Sequence, residues 1–400
     1  MTGLVRKLAL LLLLVSTSTI VTGCWSAREI DQLAFIVAMG IDKEDDAVKL
    51  TVQVVVGGGG TGGEGEGSGA PVWVTSATGN SLSEAVFNLN RIISKTPFLS
   101  HAYVLILGED LARDGIADVL DWVERDRQAR DSILVAVAIG SAEDILMVEP
   151  KMTQLPAEYL EALLRLGAET GYVPVSRLLG IRIAYANRPR MQVMMPLIQP
   201  QPQADTGGSS EGTSPSEGAS SGEQQQKPES IELKGTAVFK DDKMVGTLNL
   251  PESRGVAWLT GQISDALVSI NRLEGQVTQR ADFARVEYRL KPDADSRVLE
   301  ARVTQDGVLR AWPLGDEDGI TPTILAQLEE DLVRVIEGEI RSALSKLQAE
   351  FNSDVIGLGE QLRRLDSKLY KSLNWDEEFP NLQLATSIEA SFRRIGLTTR

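Results

Sequence analysis

A cysteine used once in 400 residues, a histidine used once, two G-x-S-x-G strings and one G-x-G-x-x-G string are where this sequence could do chemistry. The serine strings, Gly208 to Gly212 and Gly218 to Gly222, have the spacing of a hydrolase nucleophile. That chemistry needs the serine on a tight strand-to-helix turn beside a base and an oxyanion hole. Both strings lie instead in a low-complexity stretch that offers none of these. Gly58, Gly60 and Gly63 have the dinucleotide-binding spacing and follow a strand-like segment. More glycine and glutamate follow, and then Pro71, so no helix N-terminus can meet a pyrophosphate there. A flexible turn fits better.

His101 is the sole candidate for a histidine general base. It follows Ser100 at the start of an apolar strand, where a hydrogen-bonded structural histidine is the better reading. The acidic pairs Asp45-Asp46, Asp241-Asp242 and Glu329-Glu330 read as solvated carboxylates. One histidine with one cysteine cannot supply a structural zinc site, and a single cysteine makes no disulfide framework. No catalytic, cofactor-binding or metal-ligating residue is expected.

The cysteine is different. Arg6 and Lys7 precede the apolar block Leu8 to Val15, and small residues lead to Val21-Thr22-Gly23-Cys24. Basic, then apolar, then small is the pattern of an export signal. The apolar block is shorter than the roughly 20 residues of a membrane helix. A cysteine directly after Gly23 is where lipoprotein processing acylates the thiol and then cuts. Residues 1–23 are therefore expected to be a signal peptide and Cys24 the lipid attachment site, carrying diacylglycerol with an N-acyl chain as an option. Two acyl chains hold firmly, because each buried methylene contributes ~0.8 kcal/mol. Trp25 beside the anchor suits either the membrane–water interface or packing on the first domain.

No apolar run after residue 23 approaches the length of a membrane span. The signal takes two basic residues and no acidic one with it, so the net charge of −16 becomes −18 after processing. Such a surface repels nucleic acid. It also disfavours anionic headgroups, which leaves the acyl chains as the membrane attachment.

The elements point to a mixed α/β chain of the α+β type. Residues 24–200 read as an N-terminal α/β domain. Strand-like segments lie at Leu33 to Ile41, Val48 to Val56, Val72 to Thr78, Ala102 to Leu107 and Ile133 to Ile139. The glycine-rich stretch Gly57 to Ala70 reads as a floppy hairpin connection. Ser81 and Glu84 form a capping box for a helix with Leu82, Ala85, Val86, Leu89 and Ile93 on one face. Helical sequence surrounds Ala117 to Glu124, and Ser141 can cap a short helix.

Residues 201–229 hold hardly an apolar side chain and read as a disordered linker. Residues 230–270 make a small middle domain, with strands at Glu232 to Phe239 and Met244 to Leu250. Its borders are poorly marked, and it is small enough to borrow strands. Residues 271–400 form a C-terminal α/β domain, with strands at Ala284 to Leu290 and Val298 to Thr304. Its long helix, near 322–350, opens on Thr321-Pro322 and carries the stripe Ile324, Leu328, Leu332, Ile336, Ile340, Leu344 and Leu347. The stripe reads as a core face, not a coiled-coil seam. A further helix is expected over Gln361 to Lys371, and a last strand, placed at a sheet edge, over Gln383 to Ser391.

Against these elements the chain resembles the Ger(x)C family, the lipoprotein C subunit of bacterial spore nutrient germinant receptors. The matching residues are Gly23-Cys24-Trp25 with Arg28-Glu29-Ile30, Gly40-Ile41-Asp42, Gly79 with Leu82 and Ala85, and Ser100-His101. Gly108-Glu109, Leu111-Ala112, Gly115 and Arg125-Asp126 follow. Beyond the linker come Leu233 to Lys240, Val245-Gly246 and Leu248. Gln348, Asp354, Gly357, Gly359, Trp375 and Phe379-Pro380 then keep the family's order. Two departures stand out: aliphatic residues at Val355, Ile356 and Leu358 where relatives tend to carry phenylalanine, and a long linker.

The resemblance implies three mixed α/β domains in a row and no enzymatic activity. It implies a lipid-anchored accessory subunit on the outer face of the spore inner membrane, made in the cell membrane during sporulation. The partners it implies are two membrane receptor subunits, one permease-like, that sense nutrients; no nucleic acid and no cofactor is implied. The alternative is an envelope lipoprotein that binds a small ligand itself.

Replacing the thiol tests the anchor. Cys24→Ala is expected to abolish acyl labelling and leave an uncleaved precursor on a gel; normal labelling of the variant contradicts the assignment.

Overall fold

A strand covered on both faces needs apolar side chains at successive positions, and three such strands lie side by side in the larger of two sheets. The computed structural model describes residues 3–11, 29–56, 72–126, 128–153, 155–201, 228–272, 275–292, 297–312 and 320–394. The strands of the larger sheet are β1 (Leu33–Glu44), β2 (Ala47–Val55), β3 (Val72–Gly79), β4 (Thr96–Phe98), β5 (Val104–Leu107), β6 (Leu134–Ala138), β7 (Met194–Pro200), β8 (Ile231–Lys240) and β9 (Lys243–Leu248). Their order is β3-β2-β1-β5-β6-β7-β8-β9, with β4 beside the start of β1. β1, β5, β6 and β7 run parallel, and antiparallel neighbours extend the sheet on both sides.

Period-two alternation sends neighbouring side chains into two different cores. Ile36, Met39 and Ile41 of β1, Leu105 and Leu107 of β5, and Val135 and Val137 of β6 face one side. There they pack against α1 (Leu82–Leu89), α2 (Glu109–Asp114), α3 (Ala117–Arg125) and residues of α6 (Leu178–Ala186). Val37, Ala38, Val104, Ile106, Ala136 and Ala138 face the other side, against α4 (Ala142–Leu146) and α5 (Pro156–Glu169).

The smaller sheet has the order β10 (Ala266–Arg272), β11 (Gly275–Pro292), β12 (Arg297–Ala311) and β13 (Leu384–Arg394). As expected, β13 sits at an edge; it runs parallel to β12. The preceding α7 (Leu250–Thr260) and the long α8 (Pro322–Ser345) cover this sheet. Thr321 Oγ1 accepts the Ile324 N–H at 3.2 Å, and Pro322 takes the first helical position. Leu328, Leu332, Ile336, Ile340 and Leu347 of the expected stripe are buried, with Ile324 and Leu344 packed at its margin. Each fully buried side chain of this size contributes ~1.5–3 kcal/mol, so the stripe fixes the helix to the sheet. The last turn widens over Lys346–Glu350.

A buried ion pair joins α7 to α8. Arg254 Nε donates to both oxygens of Glu339, at 3.0 and 2.9 Å, Trp258 Nε1 donates to the same carboxylate at 2.8 Å, and Arg254 Nη1 donates to Leu267 O at 2.9 Å. Such a pair adds little net stability, but losing one partner strands the other charge at a cost of about 3–5 kcal/mol.

The segment expected as a middle domain, 230–270, supplies β8 and β9 to the larger sheet, α7 to the α8 interface and the first part of β10 to the smaller sheet. β8 belongs to both layers: Ala237 and Phe239 enter a core of the large sheet, while Val238 enters the core of the small one. The helix expected over Gln361 to Lys371 is two helices, α9 (Leu358–Leu365) and α10 (Ser367–Lys371), followed by α11 (Trp375–Glu378). Asp366 between them is extended, and its Oδ1 accepts the N–H groups of Lys368 and Leu369, which ends one helix and caps the next. The box at Ser81 is displaced by one residue. Ser81 Oγ accepts the Glu84 N–H, but Glu84 reaches back to the N–H of Asn80. The glycine-rich connection at 57–70 and nearly all of the 201–229 linker lie outside the described residues.

Candidate functional site

Cys24 and Trp25 also lie outside the described residues, as do both G-x-S-x-G strings and the G-x-G-x-x-G string. His101 is described. Its ring stacks on Phe35, with centroids 5.3 Å apart, and meets Phe98 edge-on at 5.4 Å. Its Nδ1 lies 3.4 Å from Arg130 Nη2. A base oriented for catalysis would have a carboxylate on its second nitrogen; this ring is held by aromatic packing and a guanidinium. Asp45 and Asp241 take positive φ in hairpin turns, and Glu329 accepts the N–H of Phe392 at 3.2 Å. The structure brings none of these acids together with His101. Among the described residues no cluster of three or more His, Cys, Asp or Glu could hold a metal ion.

What the structure does assemble is a set of residues scattered along the C-terminal sequence. The carboxylate of Asp354 is fully buried at the joint between the two layers. Its Oδ1 accepts the N–H groups of Gly357 and Leu358 at 2.8 and 2.9 Å, and its Oδ2 accepts those of Gly359 at 2.8 Å and Trp375 Nε1 at 3.1 Å. The acid thus sits at the N-terminus of α9, where free N–H groups and the helix dipole favour a negative charge. Gly357 takes φ +80, which turns the chain around the carboxylate, and a Cβ on Gly359 would lie 2.7 Å from the Trp375 ring. Trp375 packs on Phe379 and Tyr370. Gln348 Nε2 holds the same corner by donating to the carbonyls of Phe379 and Leu382, at 2.9 and 2.8 Å.

This corner is tied to the larger sheet at three points. Gln192 N–H donates to Asp354 O at 2.9 Å, Ser353 Oγ donates to Phe239 O of β8, and Arg190 Nε donates to Glu360 at 2.9 Å. Sequence reasoning missed Arg190 and Glu360, which are 170 positions apart. Arg363 and Arg364 complete a ring of guanidiniums around Glu360.

The two acids respond to this in opposite ways. Burial pushes Asp354 up from 3.8 to about 6 against the pull of its four donors, whereas Arg363, then Arg364 and Arg190, hold Glu360 down from 4.5 to about 2. Asp354 cannot act as a base or nucleophile here, because four donors fill the roughly four accepting positions of its two oxygens.

A second carboxylate does the same work in the larger sheet. Asp42, at the carboxyl end of β1, accepts the N–H of Ala142 at 2.7 Å, the N–H of Glu143 at 3.0 Å and the Ser141 hydroxyl at 3.2 Å. Burial raises its pKa in spite of these bonds. In open α/β sheets the carboxyl ends of parallel strands are where anionic ligands dock; here the chain's own carboxylate takes that place on α4.

Two family models match the chain, and the boundary between them falls between β7 and β8, inside the larger sheet. The family model described as "Spore germination protein N-terminal domain" matches residues 26–200, and the one described as "Spore germination B3/ GerAC like, C-terminal" matches residues 234–396. The Bacillus subtilis (strain 168) protein YfkR is 36% identical over 148 residues, which is 36% of this chain and 38% of that protein. Spore germination protein YndF of the same organism is 25% identical, over 98% of this chain and 97% of that protein. The crystal structure of the GerBC protein shares the fold, with a TM-score of 0.56 and 17% identity over 89% of this chain and 96% of that one.

Asp354 carries a signed pH dependence. Its folded pKa lies above the unfolded one, so its contribution to stability is full below about pH 4 and is lost as pH rises through about 6. Glu360 is the reverse, with a contribution present above 4.5 and lost as pH falls towards 2. Asp354→Asn is expected to flatten the stability profile between about pH 4 and 6. Asp354→Ala should lower stability at pH 7 by roughly 1–3 kcal/mol for each donor left unmet. Urea unfolding across pH checks both; an Asn variant that keeps the wild-type slope contradicts the assignment.

Proposed function

Since the chain belongs to the Ger(x)C family of spore germination proteins and so acts in spore germination, we propose that it does so as the lipid-anchored accessory subunit of a nutrient germinant receptor. It is held by acylated Cys24 at the outer face of the spore inner membrane and works by binding and scaffolding two membrane subunits, one of them permease-like.

The observation that carries this reading is the two-part match along nearly the whole folded body, the first part over β1 to β7 and the second from β8 to β13. The internal use of its acids supports a binding role over a catalytic one: Asp354 is saturated by backbone and indole donors, and Asp42 is engaged by two backbone N–H groups and the Ser141 hydroxyl. Two layers welded through β8 and the Asp354 corner make a body that can present fixed surfaces to partners. Among the described residues no helix is long and apolar enough to cross a membrane. Anchoring through Cys24 supplies the membrane attachment such a subunit needs.

Crosslinking in membranes of sporulating cells or dormant spores, followed by purification through a C-terminal tag and mass spectrometry, tests it. The expected result is recovery of a permease-like polytopic protein together with a second membrane subunit. Recovery of neither, under conditions that crosslink a known complex efficiently, overturns it.

A further inference from the structure

The parallel strands of the larger sheet part at their amino ends. β6 pairs with β7 only at Val137 and Ala138. Its first residues instead meet the segment before α6: Val135 N–H donates to Ser176 O, and Leu178 N–H donates to Ile133 O, each at 2.9 Å. The splay opens a cavity of about 590 Å³ between the sheet, α5 and the loop after α7. Small-molecule sites typically measure ~300–1,000 Å³ and favour seams between packed units. This one lies on such a seam, because Ser264 and Asp265 donate their N–H groups to Glu169 O and Val175 N–H donates to Gln262 Oε1 at 3.3 Å.

Leu134, Leu164, Ala168 and Pro196 give the cavity apolar walls. Three guanidiniums line it, and all three are under-used. Arg177 makes no ion pair among the described residues, Arg130 meets the His101 ring at 3.4 Å, and Arg165 stands 3.8 Å from Glu169. Ser176 lines it too, 4% exposed, and its hydroxyl has no hydrogen-bond partner among the described residues. A buried polar group left unpaired costs about 1–3 kcal/mol, which an acceptor on a ligand would relieve.

Glu161 and Glu169 also line the cavity. Three guanidiniums against two carboxylates make it locally positive on a chain whose net charge is −16. Ser176 and Gln262 border a neighbouring cavity of about 520 Å³ as well, but no basic side chain lines that one. The charge therefore selects the first cavity for an anion.

We propose that this cavity binds a small organic anion, a carboxylate or phosphate carried on an apolar body. Arg177 and Arg130 pair with the oxyanion, a geometry that planar guanidiniums favour. The Ser176 hydroxyl donates to it, and Leu164 and Pro196 enclose the apolar part. The site does not depend on the receptor-subunit reading, since it is measured on the isolated chain.

The test is calorimetric titration of the full chain in neutral detergent with 4-methylpentanoate, its neutral amide and glycerol 3-phosphate, and with phosphatidylglycerol vesicles in parallel. A free anion should bind saturably and the amide roughly tenfold more weakly or worse, the loss of one charge-assisted contact being worth about that factor. Arg177→Gln and Ser176→Ala should each weaken binding about tenfold, with the urea midpoint unchanged in the first and raised in the second, which removes the unpaired buried hydroxyl. Binding to vesicles alone, weakened by Arg177→Gln, assigns the oxyanion to a lipid headgroup at the same site. Equal binding of acid and amide, variants that bind as tightly as the wild type, or no binding to any anion or vesicle overturns the proposal.

Discussion

A carboxylate taken out of water must be met by donors, and meeting Asp354 organises everything around it. Four donors from three consecutive backbone positions and one indole converge on it. To bring them there the chain has to turn at Gly357, start α9 at Leu358, approach Trp375 closely at Gly359 and return through Phe379 to the Gln348 side chain. None of these features is separable from the others. Because the Asp354 carbonyl also receives the Gln192 N–H, the cluster that closes the small layer is attached to the large one.

Two sheets joined by one strand whose side chains enter both cores, and by a common corner, behave differently from two domains on a tether. β8 places alternate side chains in two cores, so a shift of one layer would expose Val238 or Phe239, each worth ~1.5–3 kcal/mol of burial. The Arg190–Glu360 contact and the hydrogen bonds from the loop after α7 to Glu169 brace the same joint at other points. A body built this way suits a subunit whose work is to hold partners in a fixed relation, and it keeps the splayed end of the large sheet open beside the joint.

Much of this was legible in the sequence wherever one face of an element is buried and the other is wet. The Thr321-Pro322 start and the seven-residue stripe of α8 gave its position and its buried side, and the alternating strands gave most of the two sheets. Elements without such a contrast were missed. α6 carries Leu178, Leu179, Ile181 and Ile183 on several sides, and α7 buries Glu252 and Ser253 beside Val256 and Trp258, so neither shows a clean helical period. The split at Asp366 was missed because a mid-helix aspartate and a capping aspartate look alike in sequence.

The Asp354 corner was half legible. Gln348, Asp354, Gly357, Gly359, Trp375 and Phe379 were picked out as a family-like series, but their spacing does not reveal that they surround one carboxylate. Arg190, which completes the site, has no local signal at all, because the contact spans 170 positions. The aliphatic departures at Val355, Ile356 and Leu358 are all buried, so they alter core volume while leaving the donors in place.

Amide hydrogen exchange at Gly357, Leu358 and Gly359 in the intact chain tests the central claim most directly. If a buried Asp354 carboxylate welds the layers, these three N–H groups exchange only when the whole body unfolds, with the same denaturant dependence as the amides of β8. Exchange of all three in the range of exposed loops, while β8 stays protected, would contradict it.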